Sequence, residues 1–383
     1  MYNRIIAHQV RKSSKSVLLL GPRQVGKSTL LNELKPDLTI NLAREDEYFV
    51  FQGNNLELQS RIAAINPRTI FIDEIQRIPR LLNTIQAIVD ENPKIKFYLS
   101  GSSARKLKKG RANLLPGRLF TYQMSPLSLL EIGSDWDENR SLQFGFLPGV
   151  YSLKKDFEKK KLLQSYANTY LKEEIMAESL VRSLDGFVRF IKEAAIMSGG
   201  YLDFSKLAKK SKVPRQSVVR HFEILEDTLI AKKVENDPDL DSDEIDLVKH
   251  PRYFFFDLGV VNALRGGFEV TQDRIGSMWE YLVFNQIINT SVAMDRECDV
   301  FNFRTRGGLE ADFIFSEQGK KTAIECKASL HIEPSDYQNL ISVEKYYGKI
   351  QKLVIYRGSR ERKENGVWIV PLKKALDIMG LEK

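Results

Sequence analysis

A chain of 383 residues is long enough for two or three domains, each burying its own core. Its 43% hydrophobic and 28% charged content is that of globular protein. Runs such as "SVLLL" and "TIFI" are strand-length and exclude a membrane span, which needs roughly 20 apolar residues. The N-terminus lacks the apolar core of a signal peptide. Two cysteines without a Cys-x-x-Cys pair and four scattered histidines exclude a zinc site, so a reduced, cytoplasmic protein with no membrane association is expected. The net charge of +8 favours a polyanionic partner.

"SVLLLGPRQVGKSTLLNEL" reads as a buried strand, a glycine-rich turn and an amphipathic helix, and Gly21 to Ser28 fits G-x-x-x-x-G-K-[ST] in full. Gly21 and Gly26 let the backbone of Pro22, Arg23, Gln24 and Val25 curl so that successive N–H groups point at phosphate oxygens, with the helix dipole added behind them. Lys27 is placed to reach the β- and γ-phosphates. Ser28 is placed to hold Mg²⁺, with Thr29 next to it. The strand "RTIFIDEIQRIP" ends in two carboxylates. Asp73 is expected to orient the Mg²⁺ shell and Glu74 to polarise the attacking water, so ATP and Mg²⁺ are the expected cofactors. A third strand, "KIKFYLSGSSA", ends in Ser100, a candidate polar sensor of the γ-phosphate. From Lys94 to Arg118 the chain carries eight basic residues and no acidic one.

"GPRQVGKSTLL", "IFIDEIQRIP", "YLSGSSA", "PGRLFTYQMSPLSLLEI" and "YANTYLKEEI" together resemble the prokaryotic AAA+ ATPases that carry a C-terminal domain of unknown function. The similarity covers nearly the whole chain. The resemblance implies an α/β P-loop core and makes Arg118, just before the fifth core strand, an arginine finger that acts on the nucleotide of a neighbouring copy. That implies a homo-oligomer, a hexameric ring above all. One departure is "FGFLPGVY", where a glycine pair before the proline is expected.

After a core over 1–135, helical apolar spacing over 136–190 reads as a lid or connector. Within 191–250, "YLDFSKLAKKSKVPRQSVVRHFEILEDTLIAKKVE" has the pattern of a winged helix-turn-helix. Pro214 opens the second helix, Val218, Val219, Phe222 and Leu225 form its buried stripe, and "LIAKKVE" forms a wing strand. Arg215, Gln216 and Arg220 then face outward beside Lys209 and Lys210, where DNA is the expected partner. The alternative is a hairpin used only for packing. Seven acidic residues without a basic one, Glu235 to Asp246, read as a solvated, mobile loop.

Over 251–383, "HPRYFFFDLGVVNAL" reads as an opening strand. A helix around Trp279, an antiparallel hairpin and a strand–helix–strand crossover follow, an order that resembles the PD-(D/E)xK nuclease fold. Counting outward from a turn at Gln318-Gly319 pairs Glu317 with Lys320 and, five steps on, Asp312 with Glu325. Two opposed carboxylates with Lys327 on the same face suit a divalent cation, and Cys326 then points into the core. Glu280 on the preceding helix supplies a possible third carboxylate, as in some relatives of that fold. The leading expectation is an ATP-driven ring that remodels DNA, forked or branched DNA among the candidates, with a nuclease-like C-terminal domain. The alternatives are a nucleotide-dependent signalling or defence switch whose later domains only pack, and a remodeller of protein partners.

Overall fold

The computed structural model describes residues 2–102, 117–170, 184–240 and 245–382. Two compact units result. One holds Met1–Pro126 with Ile224–Ile230, and the other holds Leu127–Glu223 with Ala231–Lys383. Among the described residues no helix is long and apolar enough to cross a membrane.

In the first unit the run Ser16–Leu20 (β1) is buried along its whole length, as a strand inside a parallel sheet must be. It pairs in parallel with Lys96–Gly101 (β4) on one side and Leu119–Gln123 (β5) on the other. Leu38–Asn41 (β2) and Thr69–Asp73 (β3) complete an all-parallel sheet of order β2-β3-β4-β1-β5. Parallel strands present all their C-terminal ends on one edge, and ligands of such sheets bind in the crevice beyond that edge. Here that edge carries the loop after Leu20, Asp73 and the Ser100–Gly101 end of β4. The helix Lys27–Glu33 (α1) follows directly from the loop, with Gly26 at φ +100° before it. Residues 103–116, which include Arg105, Lys106, Lys108, Lys109 and Arg111 of the basic run, lie outside the described residues.

Three helices and a two-stranded ribbon follow one another over 184–255. Leu184–Met197 (α2), Phe204–Ser211 (α3) and Arg215–Asp227 (α4) are followed by Ala231–Val234 (β6). Asp203 caps α3 by accepting from the Ser205 and Lys206 N–H groups. Lys212 takes the left-handed conformation (φ +53°) that turns the chain into α4. Val218 and Phe222 point into the core, and the Phe222 ring packs 4.1 Å from Tyr253. Arg252–Phe255 (β7) is the second ribbon strand, antiparallel to β6 with Val234 opposite Arg252. This pairing runs across residue 250, so "RYFFF" shares a hairpin with the strand that precedes the expected boundary. Local apolar composition cannot say which neighbour a strand pairs with.

The C-terminal sheet has the order β12-β13-β11-β10-β9-β8. Its strands are Asp299–Arg304 (β8), Glu310–Glu317 (β9), Lys320–Lys327 (β10), Gln351–Tyr356 (β11), Arg362–Glu364 (β12) and Val367–Pro371 (β13). The 19-residue helix Ile275–Ala293 buries Trp279, Leu282, Val283 and Ile287, and the Trp279 indole N–H donates to the Ile355 carbonyl of β11 (3.1 Å). The acidic segment is not a free solvated loop in its described part. Asp237 is buried and accepts from Lys321 at 2.5 Å, while the Asn302 N–H donates to the Glu235 carbonyl. Leu240 and Ile245 pack against the sheet core, which is why this stretch of like charge is held down; residues 241–244 lie outside the described residues.

The turn at "FGFLPGVY" carries a buried carboxylate. Asp257 accepts from the Phe146 N–H (2.6 Å) and from the Val260 N–H (3.0 Å) at the start of helix Leu258–Arg265. Gly145 lies so close that a Cβ there would come within 2.2 Å of Asp257 Oδ1. Burial pushes the Asp257 pKa up to about 6, against the pull of the backbone N–H groups. Between the unfolded value near 3.8 and about 6 the folded protein therefore holds a proton that the unfolded chain has lost. Stability from this group is present below about pH 4 and is lost as pH rises through 6, by about 3 kcal/mol. Urea denaturation from pH 4 to 7 should show this downward slope in the wild type, and its absence from the difference curve against Asp257→Asn would refute it.

Candidate nucleotide site and C-terminal carboxylate site

β4 lies between β1 and β3, with Leu19 opposite Ser100 and Ile72 opposite Leu99. This register sets the end of β4 between the glycine loop and the two carboxylates of β3. Asp73 is buried and its Oδ1 accepts from both Ser28 Oγ (2.8 Å) and Ser100 Oγ. A buried carboxylate needs such donors, since an unpaired one is costly. The Glu74 N–H in turn donates to Ser100 Oγ (3.0 Å). Glu74 has φ +58° and ψ +45°, a left-handed conformation that is unfavourable for a residue with a Cβ. It turns the Glu74 carboxylate to accept from Gln76 Nε2, which also donates to Ser102 Oγ (3.0 Å).

The glycine loop is held from several sides. The Lys27 ammonium is buried and donates to the Gly21 and Pro22 carbonyls, both at 2.8 Å, so it lies against the loop that it is expected to serve. Val25 is buried, Arg23, Gln24 and Ser28 are half-buried, and Thr29 is exposed. Arg4, which no local pattern singles out, donates to the Val25 carbonyl (2.6 Å) and to the Ser125 carbonyl (2.7 Å). It ties the loop to the chain leaving β5. That chain also crowds the loop, because a Cβ on Gly21 would lie 2.1 Å from the Met124 carbonyl oxygen. The first glycine of the motif is thus required by close approach of backbone to backbone. Gln76, Ser102, Arg4 and Met124 are the contributors that sequence reasoning missed. Gln76, Ser102 and Met124 lie inside the quoted motifs and Arg4 lies outside them, but no local pattern tells these groups from surface residues or gives their partners.

Arg118 pairs with Asp90 (2.5 Å), half exposed at the N-terminal end of β5. Ser16 faces Leu119 and Leu20 faces Gln123, so Arg118 stands at the edge opposite the glycine loop. The strand between them spans about 16 Å, and Arg118 does not reach the loop of its own chain.

The C-terminal hairpin register runs from Glu317–Lys320 to Phe313–Ile324, around Gln318 and Gly319, both at positive φ. The ladder stops one pair before Asp312 and Glu325. There the Asp312 carboxylate accepts from the Cys326 N–H (2.7 Å). Glu325 pairs with Lys327 (3.0 Å), and Lys327 also lies 3.9 Å from Asp336. Glu280 accepts from Arg252 Nη2. Burial first, then the charges of Glu280 and Glu325, raises the Asp312 pKa well above the usual range. Glu325 is pushed up to about 7, by burial against the pull of Lys327. Cys326 is half-buried rather than sunk in the core; β10 is past its pairing with β9 there but stays paired with β11 through Lys327. Lys209, Lys210, Arg215, Gln216 and Arg220 are all exposed, around the turn from α3 and along α4.

Residues 13–133 match the family model described as AAA domain. This segment is an AAA domain of the P-loop ATPase class. Residues 136–271 match a domain of unknown function (DUF8612), and 275–375 match another (DUF4143). The first of these ends after β7, in keeping with the β6–β7 hairpin. No curated protein matches the chain. Similar solved structures include the replication initiator DnaA bound to AMPPCP and single-stranded DNA, at 12% identity over 58% of this chain and 85% of that one (TM-score 0.29). A DNA polymerase III gamma subunit-related protein from Thermotoga maritima is 11% identical over 59% of this chain and 100% of that one (TM-score 0.27). Protein VC1899 from Vibrio cholerae is 11% identical over 97% and 98% (TM-score 0.23). At these scores the likenesses carry no further assignment.

The glycine contacts lead to a sharp contrast between two substitutions. Gly21→Ala forces the loop off the Met124 carbonyl, at a cost of about 1–3 kcal/mol, and should abolish nucleotide binding. Gly53→Ala meets nothing within 4 Å and should leave both stability and binding unchanged. Thermal melts and titration with a fluorescent ATP analogue measure the two. Equal behaviour of the variants would contradict the geometry.

Proposed function

We propose that the protein is an ATP-hydrolysing AAA+ ring protein, hexameric in its working state, that binds and remodels DNA. The observation that carries the reading is the shared carboxylate of Asp73, which brings Ser28, Ser100 and the Glu74 backbone together beside the glycine loop. The oxygen donors there fit a hard cation, so Ser28 and Asp73 are the residues that would hold Mg²⁺. When bound, that ion neutralises charge between the terminal phosphates. Lys27 exchanges the loop carbonyls for phosphate oxygens. Glu74 orients the attacking water, with Gln76 fixing its carboxylate, and Ser100 joins the carboxylate pair to the γ-phosphate position. The distance of Arg118 from its own loop supports a role on the nucleotide of a neighbouring copy. Exposure of Lys209, Lys210, Arg215, Gln216 and Arg220 on one module supports contact with DNA. The C-terminal domain, nuclease-like in its order of elements, stands beside that module.

Two measurements test the two halves of this reading. Lys27→Ala and Arg118→Ala should each lose ATP turnover, and mixing them should restore part of it, since one supplies a finger and the other an intact loop. A mixture as inactive as its components rules out action in trans. Separately, forked DNA should raise phosphate release by wild-type protein. Arg215→Ala with Arg220→Ala should weaken DNA binding and flatten its salt dependence by about one unit per lost phosphate contact. An ATPase rate indifferent to single-stranded, duplex and forked DNA would exclude the DNA reading.

A further inference from the structure

Arg252 lies on β7 and pairs across the ribbon with Val234, yet its guanidinium is turned into the C-terminal carboxylate site with 4% of the side chain exposed. Every arm of the group is used. Nη2 donates to Glu280, Nη1 to the Asp312 carbonyl (2.9 Å) and Nε to the Gly199 carbonyl (2.7 Å). The rings of Phe254 and Phe313 lie 4.9 and 5.1 Å from its centre. A cation this deep persists only with a complete set of partners, and a guanidinium cannot shed its charge.

A divalent ion at Asp312 and Glu325 requires both carboxylates to converge on one point, with further oxygen ligands around it. The arrangement differs on each count. Asp312 accepts from the Cys326 N–H, Glu325 from Lys327, and Glu280 from Arg252. Among the described residues no group of three or more His, Cys, Asp or Glu side chains is placed to hold a metal ion. The residues present do not fit the ion that the nuclease-like order of elements implies.

We propose that the Arg252 guanidinium is the resident cation of this site, and that it fastens the β6–β7 ribbon to the C-terminal sheet in place of a divalent metal. The inference rests on reading the C-terminal domain as nuclease-like in its order of strands. It makes that domain a scaffold for the winged-helix-like module, with its acidic site closed by the protein's own charge. Positive charge near opposed carboxylates relieves their repulsion whether it comes from a metal or from a side chain. The side chain differs in that chelators cannot remove it and substrate oxygens cannot displace its backbone-anchored nitrogens.

The test uses the full chain without nucleotide, so that the glycine-loop site does not contribute. Calorimetric titration with MnCl₂, and the shift in melting temperature between MnCl₂ and EDTA, should show no metal dependence in wild type that Asp312→Asn removes. Arg252→Gln should lower the melting temperature by about 5 °C or more and gain a Mn²⁺ site, and adding Asp312→Asn should abolish that site. Wild-type uptake of Mn²⁺ that Asp312→Asn removes would overturn the proposal. So would a folded Arg252→Gln that melts like wild type or takes up no Mn²⁺. If Arg252→Gln does not fold, the comparison of wild type with Asp312→Asn still decides. Failure here leaves DNA-stimulated ATP turnover untouched, so the two readings stand or fall separately.

Discussion

One carboxylate oxygen on Asp73 is the point on which the nucleotide site depends. It lies at the end of β3, is reached by Ser28 from α1 and by Ser100 from β4, and is shielded from water. Three elements distant in sequence are thereby held at one spot, because a buried acceptor that loses its donors costs more than the elements gain by drifting apart. The insertion of β4 between β1 and β3 makes this possible, since it carries Ser100 to the gap between the loop and the carboxylates. The left-handed backbone of Glu74 follows from the same arrangement, its N–H committed to Ser100 and its side chain to Gln76.

What the sequence made readable was whatever neighbouring residues determine. The stretch from Gly21 to Ser28 carries its own geometry in its glycines and its lysine, and Asp73-Glu74 announces itself by following three apolar residues. The hairpin register from Glu317–Lys320 inward could be counted from Gln318-Gly319, because side-chain alternation leaves no freedom once the turn is placed. Less readable was anything decided by a distant partner. No local pattern places Arg4 on the carbonyl of Val25, puts the Met124 oxygen against Gly21, or turns the Asp312 carboxylate from Glu325 to the Cys326 N–H. Strand β7 is legible as a strand, but its pairing with β6 is not, for the same reason.

Charge misled in a consistent direction. The acidic stretch from Glu235 has the composition of a solvated loop, yet Asp237 is an internal partner of Lys321. Arg252, one cation next to a proline and an aromatic run, is an internal partner of Glu280. In both cases the charge that matters lies on another element, at a sequence distance no motif spans. A run of like charge fixes what a segment avoids; its structural role is fixed by the single opposite charge that the fold brings to it.

Strand β5 has Arg118 at one end and runs into Met124 at the other. Hydrogen bonds to β1 hold it in register along its length. At its far end there is no slack, because the Met124 oxygen already fills the space where Gly21 lacks a side chain. The glycine that begins the motif therefore sets how closely the chain leaving β5 and the phosphate loop can approach, as well as how the loop curls.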